Sequence, residues 1–175
     1  MSRREESSPC WHCAHFGGQV GTWASPEVLC LHGTGRRREK QPGHGCVYWF
    51  YPSRPEARVI VSGSTDFRDI ERAAQALDKL LERKHLTGII HGITPGAEML
   101  ADEWATSRGV AITKCTLDRA LPAEQAVPVR NAKMLRLQPT GVVILATDRH
   151  SAADLTTQAR AANVPVWAPF LPKAH

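Results

Sequence analysis

A chain of 175 residues, 42% of them apolar, is long enough for one well-packed domain and a small appendage. The amino-terminal residues 1–9 are charged and no apolar stretch of signal-peptide length follows them. No segment approaches the length of a membrane span, so the chain reads as cytoplasmic, with no membrane partner. The formal charge of +5 divides into +2 over residues 1–57 (7 Lys/Arg against 5 Asp/Glu) and +3 over residues 58–175 (15 against 12). This excludes a basic arm and favours anionic partners only weakly.

Residues 1–51 have no helical periodicity and are rich in Cys, His, Gly and aromatic side chains, among them Trp11, Phe16, Trp23, Tyr48, Trp49, Phe50 and Tyr51. Cys10 and Cys13 have the Cys-x-x-Cys spacing with which a tight turn grips one Zn²⁺. Cys30 and Cys46 complete four soft ligands, and His12, His15, His32 or His44 can replace one of them. So short a segment has too little core to fold by burial alone, so a structural zinc module is expected over residues 1–51. Between Cys30 and Cys46 lies Arg36-Arg37-Arg38-Glu39-Lys40. It reads either as a solvated loop or as a contact to nucleic-acid phosphates, with Trp23 or Trp49 available to stack.

Residues 52–57, with two prolines in four residues, read as a stiff linker. From Arg58 the pattern changes. Val59-Ile60-Val61 is a short β-branched run, as in a strand buried on both faces. A helix follows, with Ile70, Ala73, Ala74, Leu77, Leu80 and Leu81 at helical spacing. Residues 87–91 read as the next strand, followed by a helix whose apolar face is Ala97, Leu100, Ala101, Trp104 and Ala105. Residues 109–113 form a third strand and 142–145 a fourth, with a short helix over 130–137 between them after a proline-marked loop. Cys115, just past the third strand, reads as a buried or half-buried thiol. Ser151 is placed to cap a last helix with Asp154 three residues on, and residues 164–167 close the sheet. Alternation of strand and helix requires crossovers. The expected fold over residues 58–175 is therefore α/β, a Rossmann-like parallel sheet of about five strands with flanking helices.

In such a sheet ligands bind at the carboxyl ends of the strands. Three turns should converge there: Gly63-Ser64-Thr65-Asp66, the stretch from His91 to Gly96, and Thr147-Asp148-Arg149-His150-Ser151. The turns at Gly63 and at Gly92 to Gly96 are expected to present backbone amides to a ligand, while Arg149, His150 and Ser151 can add side-chain donors.

The motifs VIVSGSTDF, HGITPGAEMLADEWA, VRNAKML and ADLTTQARAANVPV, in that order, resemble the YspA-like branch of the SLOG superfamily over roughly residues 58–168. The resemblance implies a Rossmann-like domain for nucleotides or nucleotide-derived ligands. Gly63, Ser64, Gly92, Gly96, Glu98, Arg130 and Asn131 would then line the pocket, with Trp104 in the core. Glu98, in the first turn of its helix, also fits a plain helix-dipole role. The chain departs from the family in having Thr65 where an arginine is usual and residues 147–152 where a Gly-rich phosphate loop is usual. Leu155, with Asp154 beside it, stands where phosphoribohydrolase relatives carry a glutamate of the catalytic apparatus. The preferred expectation is binding or sensing of an ADP-ribose- or NAD-like molecule. The alternatives are an N-glycosidic hydrolase and a nucleic-acid-associated protein docking through the zinc module. The sequence leaves enzymatic turnover and oligomeric state open, a homo-oligomer included.

Overall fold

The computed structural model describes residues 10–22, 25–34, 36–39, 46 and 54–171. Outside the described residues lie the charged segment 1–9, Trp23 and Trp49 as stacking groups, and His44 as an alternative ligand. Lys40, Tyr48, Phe50, Tyr51 and residues 52–53 of the expected linker also lie outside them. The chain divides into two compact units, Met1–Glu56 with Ile70–Leu86, and Ala57–Asp69 with Thr87–His175.

In the first unit a 3₁₀ turn, Cys10–His12, leads into an antiparallel sheet of β1 (Phe16–Gly21), β2 (Pro26–Cys30) and β3 (Arg37–Glu39), in that order. The β1–β2 register shifts between Phe16 and Gln19. Gly18 lies in that interval at φ +111°, a backbone that only glycine adopts freely, so the bulge follows from the sequence. Trp11, Phe16 and Val28 are buried, and the Trp11 indole donates to Gln19 Oε1 at 3.3 Å. Helix α1 (Ile70–Arg83) packs beside β1 and the 3₁₀ turn. Arg54 fastens this unit: its guanidinium donates to the carbonyls of Leu81 (2.7 Å), Glu82 (3.0 Å) and Cys13 (2.8 Å). Two of those carbonyls belong to the last turn of α1, where helix geometry leaves them unpaired and partly negative.

The second unit is built on a five-stranded parallel sheet. Its strands are β4 (Glu56–Gly63), β5 (His85–His91), β6 (Ile112–Lys114), β7 (Gly141–Leu145) and β8 (Val166–Trp167), in the order β6-β5-β4-β7-β8. The chain runs outward from β4 through β5 to β6, then crosses to β7 and β8 on the other side. The order therefore reverses at β4, and the switch point lies at the carboxyl ends of β4, β5 and β7. Helices α2 (Ala97–Arg108), α3 (Ala123–Arg136) and α4 (Ala153–Ala161) belong to this unit. One core cluster contains Ile60, Ile90, Met134, Val142, Ile144 and Leu155, and Cys115 is a buried member of it. Trp104 is fully buried, as the resemblance implies.

Three local readings are corrected. Gly109 is not a strand residue: at φ 64° it caps α2, its N–H returning to Ala105 and Thr106, and β6 begins only at Ile112. Helix α3 starts at Ala123 rather than Arg130, and Pro128 lies inside it instead of ending a loop. Ser151 does not cap α4, whose N-cap is Ala152 without a side-chain bond. The Ser151 hydroxyl is spent on Asp148, and Asp154 accepts bonds from Asn131 and Gln158.

Among the described residues no helix is long and apolar enough to cross a membrane.

Candidate functional site

At its carboxyl end β4 reaches Gly63, where a Cβ would fall 2.0 Å from the Leu145 carbonyl oxygen and 2.9 Å from Ala97 Cβ. Only glycine lets β4, β7 and the start of α2 approach this closely. Ser64 continues the ladder through N–H to Leu145 O (3.2 Å), and its carbonyl accepts the Ala97 N–H (3.1 Å). Gly96, just before α2, stands at φ 81°, and a Cβ there would lie 2.4 Å and 2.5 Å from the carbonyl oxygens of Ser64 and Thr65. Gly96→Ala is therefore expected to cost about 1–3 kcal/mol in backbone strain alone, with the overlap added. A urea melt showing an unchanged midpoint would contradict this packing.

Glu98 is 2% exposed. Its Oε1 accepts the Ser62 hydroxyl (2.9 Å), and its Oε2 accepts the backbone N–H of Gly92 (3.1 Å) and of Thr94 (2.7 Å). The amide between them, Ile93 N–H, donates to His91 Nδ1 at 3.2 Å. Nε2 of that fully buried imidazole is then the protonated nitrogen and donates to Asp102 (3.0 Å), which also pairs with Lys114 (2.9 Å). Burial of Asp102 opposes its ionisation, but the bonds from Lys114 and His91 outweigh it and hold the carboxyl below its ordinary range. Three consecutive amides after β5 are thus consumed inside the protein. This corrects the expectation that the turn from Gly92 to Gly96 presents those amides to a ligand. Ile93, held at φ 63° and 37% exposed, is left at the surface of the turn.

Arg130, on α3, brings the second charge. A Cβ on Gly92 would fall 2.2 Å from its Nη1, so the guanidinium lies directly against bare backbone. Nη1 donates to Thr94 Oγ1 (2.8 Å), Nη2 donates to Asn131 Oδ1 (3.3 Å) and lies 3.8 Å from Glu98 Oε1. Arg130 is 7% exposed, and its Nε–H has no hydrogen-bond partner among the described residues. Asn131 in turn donates to Asp154 (2.7 Å), which ties α3 to α4.

After β7 the turn is organised by Asp148. Its Oδ1 accepts the N–H groups of His150 (2.8 Å) and Ser151 (2.9 Å), and its Oδ2 accepts the Ser151 hydroxyl (2.5 Å). The Ser64 hydroxyl stands 2.9 Å from Ser151 Oγ and 3.3 Å from Asp148 Oδ2, joining this turn to β4. Bonds from the Ser151 hydroxyl and amide, with smaller help from His150 and Ser64, hold the Asp148 carboxyl at about 2. A depressed carboxyl contributes stability that is fully present above its ordinary value of 3.8 and is lost as pH falls through about 2. A carbon-detected NMR titration should place the Asp148 midpoint near that value, and a midpoint near 4 would contradict the bonded turn.

The structure therefore brings together Gly63, Ser64, Gly92, Gly96, Glu98, Arg130, Asn131 and Ser151. Thr65, Arg149 and His150 are exposed at the same end of the sheet. Ser62 also belongs to this constellation and was not singled out from the sequence, whereas His91, Thr94 and Asp148 lie in the turns expected to converge there. The signal for Asp148 was legible, because an aspartate two and three residues before amide donors is an Asx-turn pattern. Of the carboxylates at this site, Glu98, Asp148 and Asp154 are each committed to internal donors.

Residues 57–121 match the YspA, cpYpsA-related SLOG family. The SLOG-matched segment runs from β4 to the loop after β6. It includes Gly63, Ser64, Thr65, Gly92, Gly96 and Glu98, whereas Arg130, Asn131 and the Asp148 turn lie beyond it. No curated protein and no solved structure matches the chain significantly.

In the first unit, Cys10 and Cys30 are half-buried, Cys13 is buried and Cys46 is exposed. Among the described residues no group of three or more His, Cys, Asp or Glu is arranged to hold a metal ion. Of the arginine run, Arg37 pairs with Glu39 (3.9 Å) at the surface of β3, and the exposed Arg38 reaches Glu27 (3.2 Å), whose side chain is mostly covered.

Proposed function

We propose that the Rossmann-like unit binds a nucleotide-derived small molecule, of the ADP-ribose or NAD type, at the carboxyl ends of β4, β5 and β7, and that Arg130 grips an anionic group of it. The observation that carries this reading is the unspent Nε–H of a nearly buried arginine at the switch point of the sheet. A buried guanidinium normally has its donors satisfied, so an unused one beside a second N–H at the Nη edge is suited to a carboxylate or phosphate gripped in two places. The SLOG match supports the class of ligand.

The site favours binding over N-glycosidic cleavage. Such hydrolysis needs a carboxyl group free to exchange a proton or to stabilise the developing cation, and Glu98, Asp148 and Asp154 are each committed to internal donors. Titration calorimetry with ADP-ribose, NAD and AMP tests binding, and chromatography of the same mixtures for released base tests turnover. Saturable binding without released base is expected. Multiple turnovers would overturn the binding reading.

For the first unit we propose one Zn²⁺ held by Cys10, Cys13, Cys30 and Cys46. The support is the Cys-x-x-Cys turn itself, in which the His15 N–H points to Cys13 Sγ at 3.4 Å, and the register that sets Phe16 opposite Cys30. Cys30 thus ends its strand opposite the residue three positions after Cys13. Native mass spectrometry before and after chelation should differ by one zinc. Metal-free protein with β1 to β3 intact would overturn the assignment.

A further inference from the structure

Ile93 is the residue of the turn after β5 that the fold alone does not explain. A β-branched residue at φ 63° is strained, because its Cβ crowds the backbone in the left-handed region. Three hydrogen bonds impose the conformation: the Ile93 N–H goes to the buried His91 Nδ1, and the flanking N–H groups of Gly92 and Thr94 go to Glu98. Glycine or asparagine would hold the same backbone at lower cost. The isoleucine side chain adds nothing to the core either, since it is exposed at the surface of the turn. Neither burial nor backbone preference accounts for an isoleucine here, and strain of this kind gathers at ligand contacts.

Its neighbours fit such a contact. Strands β5 and β6 pair in parallel up to His91 and Lys114, and the Cys115 N–H returns to the His91 carbonyl (2.8 Å), so the segments carrying Ile93 and Leu117 leave the sheet side by side. Leu117 is exposed. On α3, Val127 lies one turn before Arg130 on the same stripe of the helix and is exposed as well. Arg130 lies against Gly92 and donates to Thr94 Oγ1, so it touches the residues on both sides of Ile93. Its side chain is 7% exposed, and its Nε–H is unpaired among the described residues. A cation with an unused donor is thus bordered by apolar side chains from three separate segments.

We propose that Ile93 is a specificity-determining residue: with Leu117 and Val127 it forms the apolar seat for the base of the nucleotide unit whose phosphate Arg130 grips. This rests on the nucleotide-ligand reading above and adds which part of the ligand lies on the β5–β6 side of the site. Three aliphatic side chains give a flat ring a surface to pack against and nothing that reads its edge. The seat therefore demands a planar base and tolerates its identity, as apolar pockets do. An adenosine monophosphate unit meets that demand, free or as part of ADP-ribose or NAD, whereas ribose 5-phosphate does not.

The experiment compares the full chain with Ile93→Gly and Ile93→Asn, both of which relieve the left-handed backbone and remove the apolar side chain. Their urea midpoints should equal or exceed that of the wild type. AMP, CMP and ribose 5-phosphate are titrated by calorimetry. The wild type should bind AMP and CMP within about threefold of each other and ribose 5-phosphate about tenfold more weakly. In both variants AMP should lose about five- to tenfold, the effect of uncovering one aliphatic side chain, with ribose 5-phosphate unchanged. Undiminished stability paired with a selective loss of base affinity is not the behaviour of a residue that only shapes the turn. Phenyl phosphate against inorganic phosphate is a second probe, independent of nucleoside recognition. Phenyl phosphate alone should shift the Ile93 methyl signals in NMR, and its advantage over phosphate should vanish in the variants. Equal wild-type affinity for AMP and ribose 5-phosphate, unchanged AMP affinity in the variants, equal losses for both ligands, or lowered urea midpoints would overturn the proposal. Failure of AMP and CMP to bind, with phenyl phosphate still preferred by the wild type alone, would instead overturn the nucleotide reading and leave Ile93 as an apolar contact beside an anion seat. Binding of none of these probes would overturn both.

Discussion

Replacing Glu98 by alanine is expected to destabilise the Rossmann-like unit by about 3–5 kcal/mol, the usual cost of removing one partner of a buried charge pair. The carboxylate is 2% exposed and accepts three hydrogen bonds, two of them from the backbone of the turn after β5. Its loss strands the N–H groups of Gly92 and Thr94 and leaves the Arg130 guanidinium without its nearest carboxylate. Glu98→Gln should cost less, though more than about 1 kcal/mol, because an amide turns one acceptor into a donor facing N–H or O–H groups. Chemical denaturation followed by far-UV circular dichroism measures both. A loss below about 1 kcal/mol for the alanine variant would show that the turn does not depend on this carboxylate. The consequence for enzymology is direct: loss of ligand binding or turnover in a Glu98 variant would report the shape of the turn and could not by itself make Glu98 catalytic.

The α/β framework was readable because it rests on strong, short-range signals. Val59-Ile60-Val61 and Val142-Val143-Ile144-Leu145 are unbroken apolar runs, and both became central strands paired in register from Val59–Gly141 to Gly63–Leu145. Boundaries were less readable where one residue type serves two purposes. Gly109 fits the start of a strand or the end of a helix, and the left-handed cap was decided by its bonds back to Ala105 and Thr106. Pro128 reads as a break, yet α3 accommodates it.

The candidate site shows the same division. Gly63, Gly92 and Gly96 were legible, since glycines after strands announce close approach, and each proves to face an atom that a Cβ would overlap. What those glycines admit was not legible. Gly92 makes room for the chain's own Arg130 and Gly96 for the carbonyls of Ser64 and Thr65, because the partners are tens of residues away and no periodicity records them. Ser151 has the spacing of a helix cap. Its hydroxyl goes to Asp148 because Ser64, 87 positions earlier, closes the other side of that turn. Such long-range pairs can be stated only once the sheet order is known.

The same geometry decides how Arg130 must be tested. Arg130→Ala removes the ligand contact proposed above, but it also leaves Glu98 buried beside no cation and empties the space against Gly92, so a cost of about 3–5 kcal/mol in stability is expected with it. A simultaneous loss of fold and binding would say nothing about the ligand. Arg130→Lys is the informative change. Lysine keeps a positive charge near Glu98 and can still reach Thr94 Oγ1, but it lacks the planar fork and has no counterpart of the unspent Nε–H. Stability should therefore fall by no more than about 1–2 kcal/mol, the value of a single hydrogen bond to a charged group. Affinity for ADP-ribose should fall about 10- to 100-fold, as expected when a two-point grip becomes a one-point contact worth about 1.5–3 kcal/mol less. The paired measurement is a urea midpoint and a calorimetric Kd on the same preparation. Unchanged affinity with a lowered midpoint would make Arg130 a structural cation that serves Glu98 and Thr94 alone, and the unpaired Nε–H would then lose its place in the argument for a ligand.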